Sequence, residues 1–124
     1  MVEKIKAIST EEVKNLIDSD SDNYILIDVR ENEELENGMI PTAKNIPMGE
    51  IAKAFKKDEE DFESEYGFIK PSKDKTIIFY CRTGPRGEYA AKIALNAGFD
   101  AQVYEGSILE WSKIDSNVKM YGES

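Results

Sequence analysis

Apolar and polar residues follow one another along the chain in blocks that predict strands and helices in alternation. Residues 24–29 and 76–80 are two short runs in which almost every position is apolar. Continuous apolar runs of this length are typical of strands that are covered on both faces, as in parallel sheets. We therefore predict a buried strand at each run and at most a short third strand over residues 43–46, which lie between turns.

Two predicted helices precede the second long strand. A capping-box pattern at Ser9 and Glu12 begins the first helix, over residues 10–18. An apolar repeat at helical spacing predicts a shorter helix over residues 49–56. Charge dominates residues 56–66, which we expect to be a solvated helix end or a loop. The apolar positions are Val13, Leu16 and Ile17 in the first helix and Met48, Ile51 and Phe55 in the second.

The last third of the chain predicts a helix, a strand and a final helix. The first of these helices ends at Gly98, a residue type that commonly terminates helices. A short strand is predicted over residues 101–104, and Ser107 is predicted to cap the final helix. The apolar positions are Tyr89, Ala90, Ile93, Ala94 and Ala97 in one helix and Ile108, Leu109, Trp111 and Ile114 in the other. The alternation favours an α/β fold with a mainly parallel sheet, in which ligands bind beyond the carboxyl ends of the strands.

Length and charge narrow the class of protein. The 124 residues suit one domain, residues 1–124, and no repeat or linker divides them. A formal net charge of −9 repels phosphate backbones and anionic lipid, so we expect no nucleic acid and no membrane partner, and we expect a monomer. No apolar stretch reaches the ~20 residues of a membrane-spanning helix. Residues 1–6 lack the apolar core of a signal peptide, which favours a cytoplasmic location and leaves a mitochondrial one open.

The rare residue types exclude several kinds of catalytic site. The chain has no histidine, so Ser-His-Asp triads, Cys-His pairs and His-ligated metal sites are excluded. Its single cysteine, Cys81, excludes internal disulfides, paired redox thiols and zinc sites built on cysteines, and we expect no metal or cofactor. Three arginines occur, and two of them, Arg82 and Arg86, lie within five residues of Cys81.

The loop that begins at Cys81 carries the strongest chemical signal. A cysteine between a buried strand and a helix lies near the helix N-terminus, where free N–H groups and the helix dipole favour the thiolate. Arg82 and Arg86 reinforce that positive field, and Gly84 and Gly87 allow the loop N–H groups to form an anion-binding nest. We therefore predict a reactive thiolate. The alternative is an inert core cysteine, which is rarely placed in so polar a loop.

Four short motifs then occur in order along the chain. They are Asp28-Val29-Arg30; Gly38-Met39-Ile40-Pro41-Thr42-Ala43 with Asn45-Ile46-Pro47; Tyr80-Cys81-Arg82-Thr83-Gly84-Pro85-Arg86; and Tyr104-Glu105-Gly106 followed by Trp111. Together they resemble the single-domain rhodaneses over residues 8–111. Met39 and Thr42 stand where that family often has His and Gly, in a stretch whose role looks structural.

The resemblance implies a rhodanese-like three-layer fold, a five-stranded parallel sheet with helices on both faces, with a domain core at about residues 8–114. The implied activity is that of a sulfurtransferase of the thiosulfate type. The Cys81 thiolate takes a sulfane sulfur from thiosulfate or a persulfide donor, and the resulting persulfide passes it to a thiol such as glutathione or thioredoxin, or to cyanide. With no second cysteine in the chain, the acceptor comes from outside.

The resemblance also implies roles for the loop residues. Arg82 and Arg86 are expected to hold the small anionic donor, because guanidinium groups bind anions through paired hydrogen bonds. Backbone N–H groups are expected to stabilise the thiolate and the persulfide; their residues are Thr83, Gly84, Arg86 and Gly87. Asp28 and Arg30 are expected to support the loop or extend its positive charge, and an ion pair of Arg30 with a nearby carboxylate is an equally good interpretation.

Two other functions fit parts of the pattern. Cys-dependent phosphatases and arsenate reductases also place a Cys…Arg loop at a helix N-terminus, but their loop is one residue longer than the four that separate Cys81 from Arg86. The shorter ring favours a single sulfur atom over a tetrahedral phosphate. A non-catalytic or partner-specific rhodanese-like module, for binding or sulfur relay, is the second alternative. Many such modules lack the cysteine, which this chain retains.

Overall fold

The computed structural model describes residues 5–19 and 22–120, and strands and helices alternate along them. The strands are β1 (Ala7–Ile8), β2 (Tyr24–Asp28), β3 (Lys44–Asn45), β4 (Thr76–Tyr80) and β5 (Asp100–Tyr104), and the helices are α1 (Thr10–Asp18), α2 (Ile51–Ala54), α3 (Glu59–Tyr66), α4 (Pro85–Asn96) and α5 (Ser107–Trp111), with 3₁₀ helices at Asn32–Asn37 and Met48–Glu50. Within these ranges, no helix has both the length and the apolar character needed to cross a bilayer. Residues 1–4, which enter the expectation about a signal peptide, lie outside the described residues.

The five strands form one parallel sheet in the order β1-β5-β4-β2-β3. Asp28 and Tyr80, the last residues of β2 and β4, lie side by side in the register. Because the two strands are parallel, the segments that follow them leave the sheet at the same edge, Val29 from one and Cys81 from the other. The predicted α/β fold with a five-stranded parallel sheet is confirmed.

Each face of the sheet is covered by its own apolar cluster. Ile77 and Phe79 of β4 belong to one cluster and Ile78 and Tyr80 to the other, as expected for side chains that alternate along a strand. Residues of α2, α3 and α4 complete the first cluster, and residues of α1 and α5 complete the second. The apolar runs of β2 and β4 are therefore buried on both faces, which explains their lack of polar alternation.

The charged segment before β4 is more ordered than the sequence predicts. The carboxylate of Asp58 accepts a hydrogen bond from the N–H of Asp61 at 2.8 Å and so caps α3. Phe62 is fully buried, with its ring centroid 6.1 Å from that of Phe55 and 5.2 Å from that of Phe68. The expectation of a solvated end or loop is wrong here, because one aromatic residue anchors a helix whose other residues are mostly charged. The helix predicted over residues 49–56 is shorter, since a 3₁₀ turn replaces its beginning.

The buried face of α4 differs from the predicted stripe. Tyr89 is 57% exposed, whereas Ala90 and Ala91 are completely buried. The cause is Gly87, where a Cβ atom would lie only 3.0 Å from the Cα of Tyr80. The helix approaches β4 so closely that only small residues fit between them, and the larger Tyr89 faces outward.

The final helix is short and is not capped as predicted. Leu109 is 41% exposed and Ile114 is 55% exposed, so the predicted apolar face is limited to Ile108 and Trp111. Gly106 occupies the N-cap position, and the hydroxyl of Ser107 makes no capping hydrogen bond. That hydroxyl is buried beside the loop after β4 instead, as described below.

Candidate active site

Cys81 lies at the carboxyl end of the central strand β4, at the start of the loop that leads into α4. The residue is only 1% exposed and packs within the first apolar cluster, as an inert core cysteine would. Its sulfur also accepts a hydrogen bond from the N–H of Gly84 at 2.9 Å. Since Gly84 is the N-cap of the twelve-residue helix α4, the sulfur lies at the positive end of that helix. The site thus combines burial with the polar contact that the loop sequence predicts.

Gly84 is required by both the conformation and the space of this loop. Its φ of 122° lies in the region that favours glycine. A Cβ atom there would lie 3.0 Å from the carbonyl oxygen of Glu105, in the turn before α5. Backbone of the loop and backbone of that turn are therefore in direct contact, and a side chain at position 84 would collide with the turn.

The beginning of α5 is hydrogen bonded to the backbone around Cys81. The backbone N–H of Cys81 donates to the Ser107 hydroxyl at 3.2 Å, and that hydroxyl donates to the carbonyl of Tyr104 at 2.9 Å. The N–H groups of Ile108 and Leu109 donate to the carbonyls of Cys81 and Arg82 at 3.1 and 2.9 Å, respectively. The N–H and carbonyl of Cys81 and the carbonyl of Arg82 are thus all hydrogen bonded to residues of α5. Sequence reasoning missed this role of Ser107, since the partner is 26 residues away.

Both predicted anion-binding arginines contact one carboxylate. Arg86 donates from two nitrogens to Glu34, Nη1 to Oε1 at 2.7 Å and Nη2 to Oε2 at 3.0 Å. Arg82 Nη2 lies 3.2 Å from Oε2 of the same residue. Hydrogen bonds from Arg86 lower the pKa of Glu34 to about 2, so the carboxylate is ionised near neutral pH. Glu34 lies in the 3₁₀ helix Asn32–Asn37, and no local motif distinguishes it from the acidic residues around it.

Arg30 forms a buried ion pair with Asp28, and both side chains are completely inaccessible. Arg30 donates from Nε to both Asp28 carboxylate oxygens at 3.0 Å and from Nη2 to Oδ2 at 2.7 Å. It also donates to the carbonyls of Gly38 at 2.8 Å and Glu34 at 3.2 Å. The ion-pair interpretation of Arg30 therefore agrees with the structure. Its contact with the Glu34 backbone connects this pair to the loop arginines.

The remaining predicted loop residues occupy different environments. Thr83 is exposed at the tip of the loop, and Gly87 is buried in the first turn of α4 against β4. Gly87 has a packing role that its spacing in the sequence did not reveal. The predicted donor roles of the Thr83 and Gly87 N–H groups remain predictions.

The arrangement defines a class of site. A cysteine sulfur lies where a central parallel strand meets a helix N-terminus, with two guanidinium groups within the next five residues and a carboxylate bridging them. Helix N-termini and guanidinium groups attract anions, so the arrangement defines a site for a small anion beside a cysteine sulfur.

Comparison with known proteins identifies the family. The family model described as Rhodanese-like domain matches residues 9–114, so the chain belongs to the rhodanese-like family. Curated relatives and a solved structure that are named sulfurtransferases confirm the predicted family and enzyme type: the chain is a sulfurtransferase of the rhodanese type.

Three relatives illustrate the similarity. The thiosulfate:glutathione sulfurtransferase of Saccharomyces cerevisiae is 36% identical over 111 residues, which cover 89% of this chain and 80% of that protein. A mitochondrial thiosulfate sulfurtransferase of the same yeast is 36% identical over 107 residues, 86% of this chain and 72% of that protein. The structure of a human single-domain sulfurtransferase has a TM-score of 0.83 at 32% identity and covers 90% of this chain and 99% of its own.

Proposed function

We propose that this chain moves a sulfane sulfur from a small anionic donor to a thiol acceptor through a persulfide on Cys81. The donor class comprises thiosulfate and low-molecular-weight persulfides, and the acceptor is a thiol such as glutathione or thioredoxin, or cyanide. The names of two relatives support these classes, since both include thiosulfate and one includes glutathione. The observation that carries the proposal is the Gly84 N–H, 2.9 Å from the Cys81 sulfur at the N-terminus of α4.

The first half-reaction transfers sulfur to the protein. The Cys81 thiolate attacks the outer sulfur of thiosulfate, a new S–S bond forms, and the original S–S bond breaks with its electron pair leaving on sulfite. The product on the protein is a persulfide anion, so one negative charge remains at the loop throughout. This step needs no proton transfer, which fits a chain without histidine.

The loop stabilises the negative charge both on the thiolate before sulfur transfer and on the persulfide after it. The Gly84 N–H already contacts Sγ, and the N–H groups at Thr83, Arg86 and Gly87 are the further donors that we propose for the outer persulfide sulfur. Pro85 has no N–H and supplies none. Arg82 and Arg86 orient the sulfonate end of the donor, sharing their guanidinium groups with Glu34.

The second half-reaction returns the enzyme to its starting state. A thiolate acceptor attacks the outer sulfur of the Cys81 persulfide, forms its own persulfide and releases the Cys81 thiolate. Cyanide accepts the same sulfur and leaves as thiocyanate. Since Cys81 is the single cysteine of the chain, no internal thiol competes for the sulfur.

Intact mass spectrometry tests the proposal directly. The wild-type chain is incubated with thiosulfate, and we expect a gain of about 32 Da, one sulfur atom, that glutathione or cyanide then removes. Cys81→Ser should gain nothing, although its side chain is nearly the same size. A wild-type chain that takes up no sulfur would contradict the proposal, and so would Cys81-dependent turnover of p-nitrophenyl phosphate in place of sulfur transfer.

The cellular location is part of the same proposal. One yeast relative is named as mitochondrial, so the mitochondrion is the alternative to the cytoplasm as the location of the enzyme. We propose a monomeric enzyme of the cytoplasm, which light scattering and cell fractionation test.

A further inference from the structure

Glu34 is an anion already bound where the donor is proposed to bind. Its carboxylate takes two hydrogen bonds from Arg86 and lies 3.2 Å from a nitrogen of Arg82. A second support fixes its position, because the N–H of Glu31 donates to its Oε1 at 3.0 Å. The 3₁₀ helix that carries it is bound to Arg30 through the Glu34 carbonyl. The carboxylate is therefore held in place and does not sample the site as a mobile surface charge.

The charges of this group limit the donors that fit. Two guanidinium groups and one carboxylate give a net charge of +1, and the proposed Cys81 thiolate would reduce it to zero. A donor with two negative charges must share the guanidinium groups with Glu34 and remain close to a like charge. The carboxylate is 19% exposed, so solvent screens this repulsion only in part.

We propose that Glu34 is a specificity-determining residue that disfavours dianionic inorganic donors relative to donors whose reacting group carries at most one negative charge. This inference rests on the proposed sulfur transfer at Cys81 and names its substrate class. The preferred class comprises organic thiosulfonates and hydropersulfides, in which the sulfane sulfur is bonded to a second sulfur atom that carries an organic group. Thiosulfate remains a substrate, but the carboxylate slows its reaction.

A pair of donors isolates the effect of charge. Thiosulfate and methanethiosulfonate both present a sulfane sulfur bonded to an oxidised sulfur, and they carry two and one negative charges. In both cases Cys81 takes the outer sulfur and the S–S bond breaks; the electron pair leaves on sulfite from the first and on methanesulfinate from the second. Because Coulomb energy is proportional to the donor charge, removal of Glu34 should change the thiosulfate rate by about the square of its effect on methanethiosulfonate.

The experiment measures the second-order rate of sulfur loading onto Cys81 by intact mass. For Glu34→Gln we expect about a 10-fold increase with thiosulfate and about a 3-fold increase with methanethiosulfonate, both smaller at high salt. Gln keeps an oxygen for the Glu31 N–H, and thermal unfolding checks that the variant is folded. Glu36→Gln, at an exposed position of the same 3₁₀ helix, is the matched control for net charge and should leave both rates within about twofold.

Glu34→Asp separates charge from geometry. Asp keeps the negative charge but is too short for the same paired contact, so it should retain the wild-type ratio of the two donors. Slower loading of Glu34→Gln with both donors, equal changes for both, or the same shift in Glu36→Gln would overturn the specificity role. If the wild-type chain loads sulfur from neither donor, the proposed function itself fails; loading without a charge-dependent change defeats only the role of Glu34.

Discussion

The hydroxyl of Ser107 accepts a hydrogen bond from the backbone N–H of Cys81 at 3.2 Å. Ser107 is fully buried and has a φ of 53°, a left-handed conformation that is unfavourable for a residue with a Cβ atom. A serine therefore occupies a position whose backbone conformation glycine would adopt with less strain. The serine provides a hydroxyl group, which glycine lacks. This hydroxyl holds the backbone N–H of Cys81 in place.

Replacing Ser107 should separate this contact from backbone strain. Ser107→Ala and Ser107→Gly both remove the hydroxyl and leave the buried N–H of Cys81 without its partner. We expect this loss to lower the free energy of unfolding by about 1–3 kcal/mol. Only Gly relieves the left-handed strain, by about 1–2 kcal/mol, so its urea unfolding should be closer to wild type. Both variants should lower kcat/KM for sulfur transfer by a similar factor, about 10-fold. A Gly variant with full activity would show that the hydroxyl does not position Cys81.

Arg86, in the first turn of α4, should matter for donor binding far more than Lys75, which lies at the amino end of the preceding strand β4. Arg86→Ala removes a guanidinium group that we propose to bind the donor, and we expect KM for methanethiosulfonate to rise about 10-fold, since hydrogen bonds to charged groups contribute about 1.5–3 kcal/mol. Lys75 directly precedes β4, at its amino end, and Lys75→Ala is the matched control. Arg86→Lys should recover only part of the loss, because ammonium lacks the paired geometry. Equal KM values for Arg86→Ala and Lys75→Ala would contradict a guanidinium role.

Breaking the buried ion pair of Asp28 and Arg30 should strongly lower the stability of the fold. Asp28→Asn leaves the Arg30 charge buried without a counter-ion, and breaking such a pair is destabilising by about 3–5 kcal/mol. We expect a correspondingly lower urea midpoint. Asp74→Asn, at an exposed position before β4, provides a control for the same chemical change and should stay within about 0.5 kcal/mol of wild type. Similar midpoints for the two variants would show that Arg30 finds other partners.

Local sequence signals explain much of this fold and part of its site. The capping box at Ser9 predicts α1 with the right ends, and the apolar run at Thr76–Tyr80 predicts β4 residue for residue. The Cys81 loop could be recognised because its thiol, guanidinium groups and glycines are adjacent in the chain. The role of Glu34 could not be recognised from the sequence, because its partner Arg86 is 52 residues away and its neighbours are equally acidic. Tertiary contacts leave no periodic pattern in the sequence.

The orientation of α4 also could not be predicted from the sequence pattern, because it depends on packing against the sheet. Helical spacing alone allows Tyr89 to share a face with Ala90, and the outcome depends on how near the helix lies to the sheet. Gly87 lies so close to β4 that a Cβ atom on it would be 3.0 Å from the Tyr80 backbone, which leaves no room for a ring. Spacing predicts that a helix has an apolar face, but the size of its residues decides which face is buried.

Acid should remove the stabilising effect of Glu34. Hydrogen bonds from Arg86 lower its pKa in the folded state to about 2, below the ordinary 4.5. A lowered pKa gives stability that is present above the unfolded value and is lost as the pH falls toward the folded value. The difference in unfolding free energy between wild type and Glu34→Gln should therefore be largest near neutral pH and narrow from about pH 4.5 toward pH 2. Urea titrations at several pH values measure it, and a difference independent of pH would rule out an ionised Glu34 as its source.

Thr42 offers a route to a more stable chain. Its φ of 72° is strained for a β-branched residue, and the side chain is exposed in the turn before β3. Thr42→Gly removes a strain of about 1–2 kcal/mol and adds a backbone entropy loss of about 0.5–1 kcal/mol, so we expect a gain of roughly 0.5 kcal/mol before the lost hydroxyl contact is subtracted. The Tyr24 hydroxyl lies 3.2 Å from the Thr42 hydroxyl, and Tyr24→Phe measures what that contact contributes. Urea unfolding of both variants decides the matter: a Gly variant less stable than wild type by more than the Tyr24→Phe loss would mean that the turn is not strained.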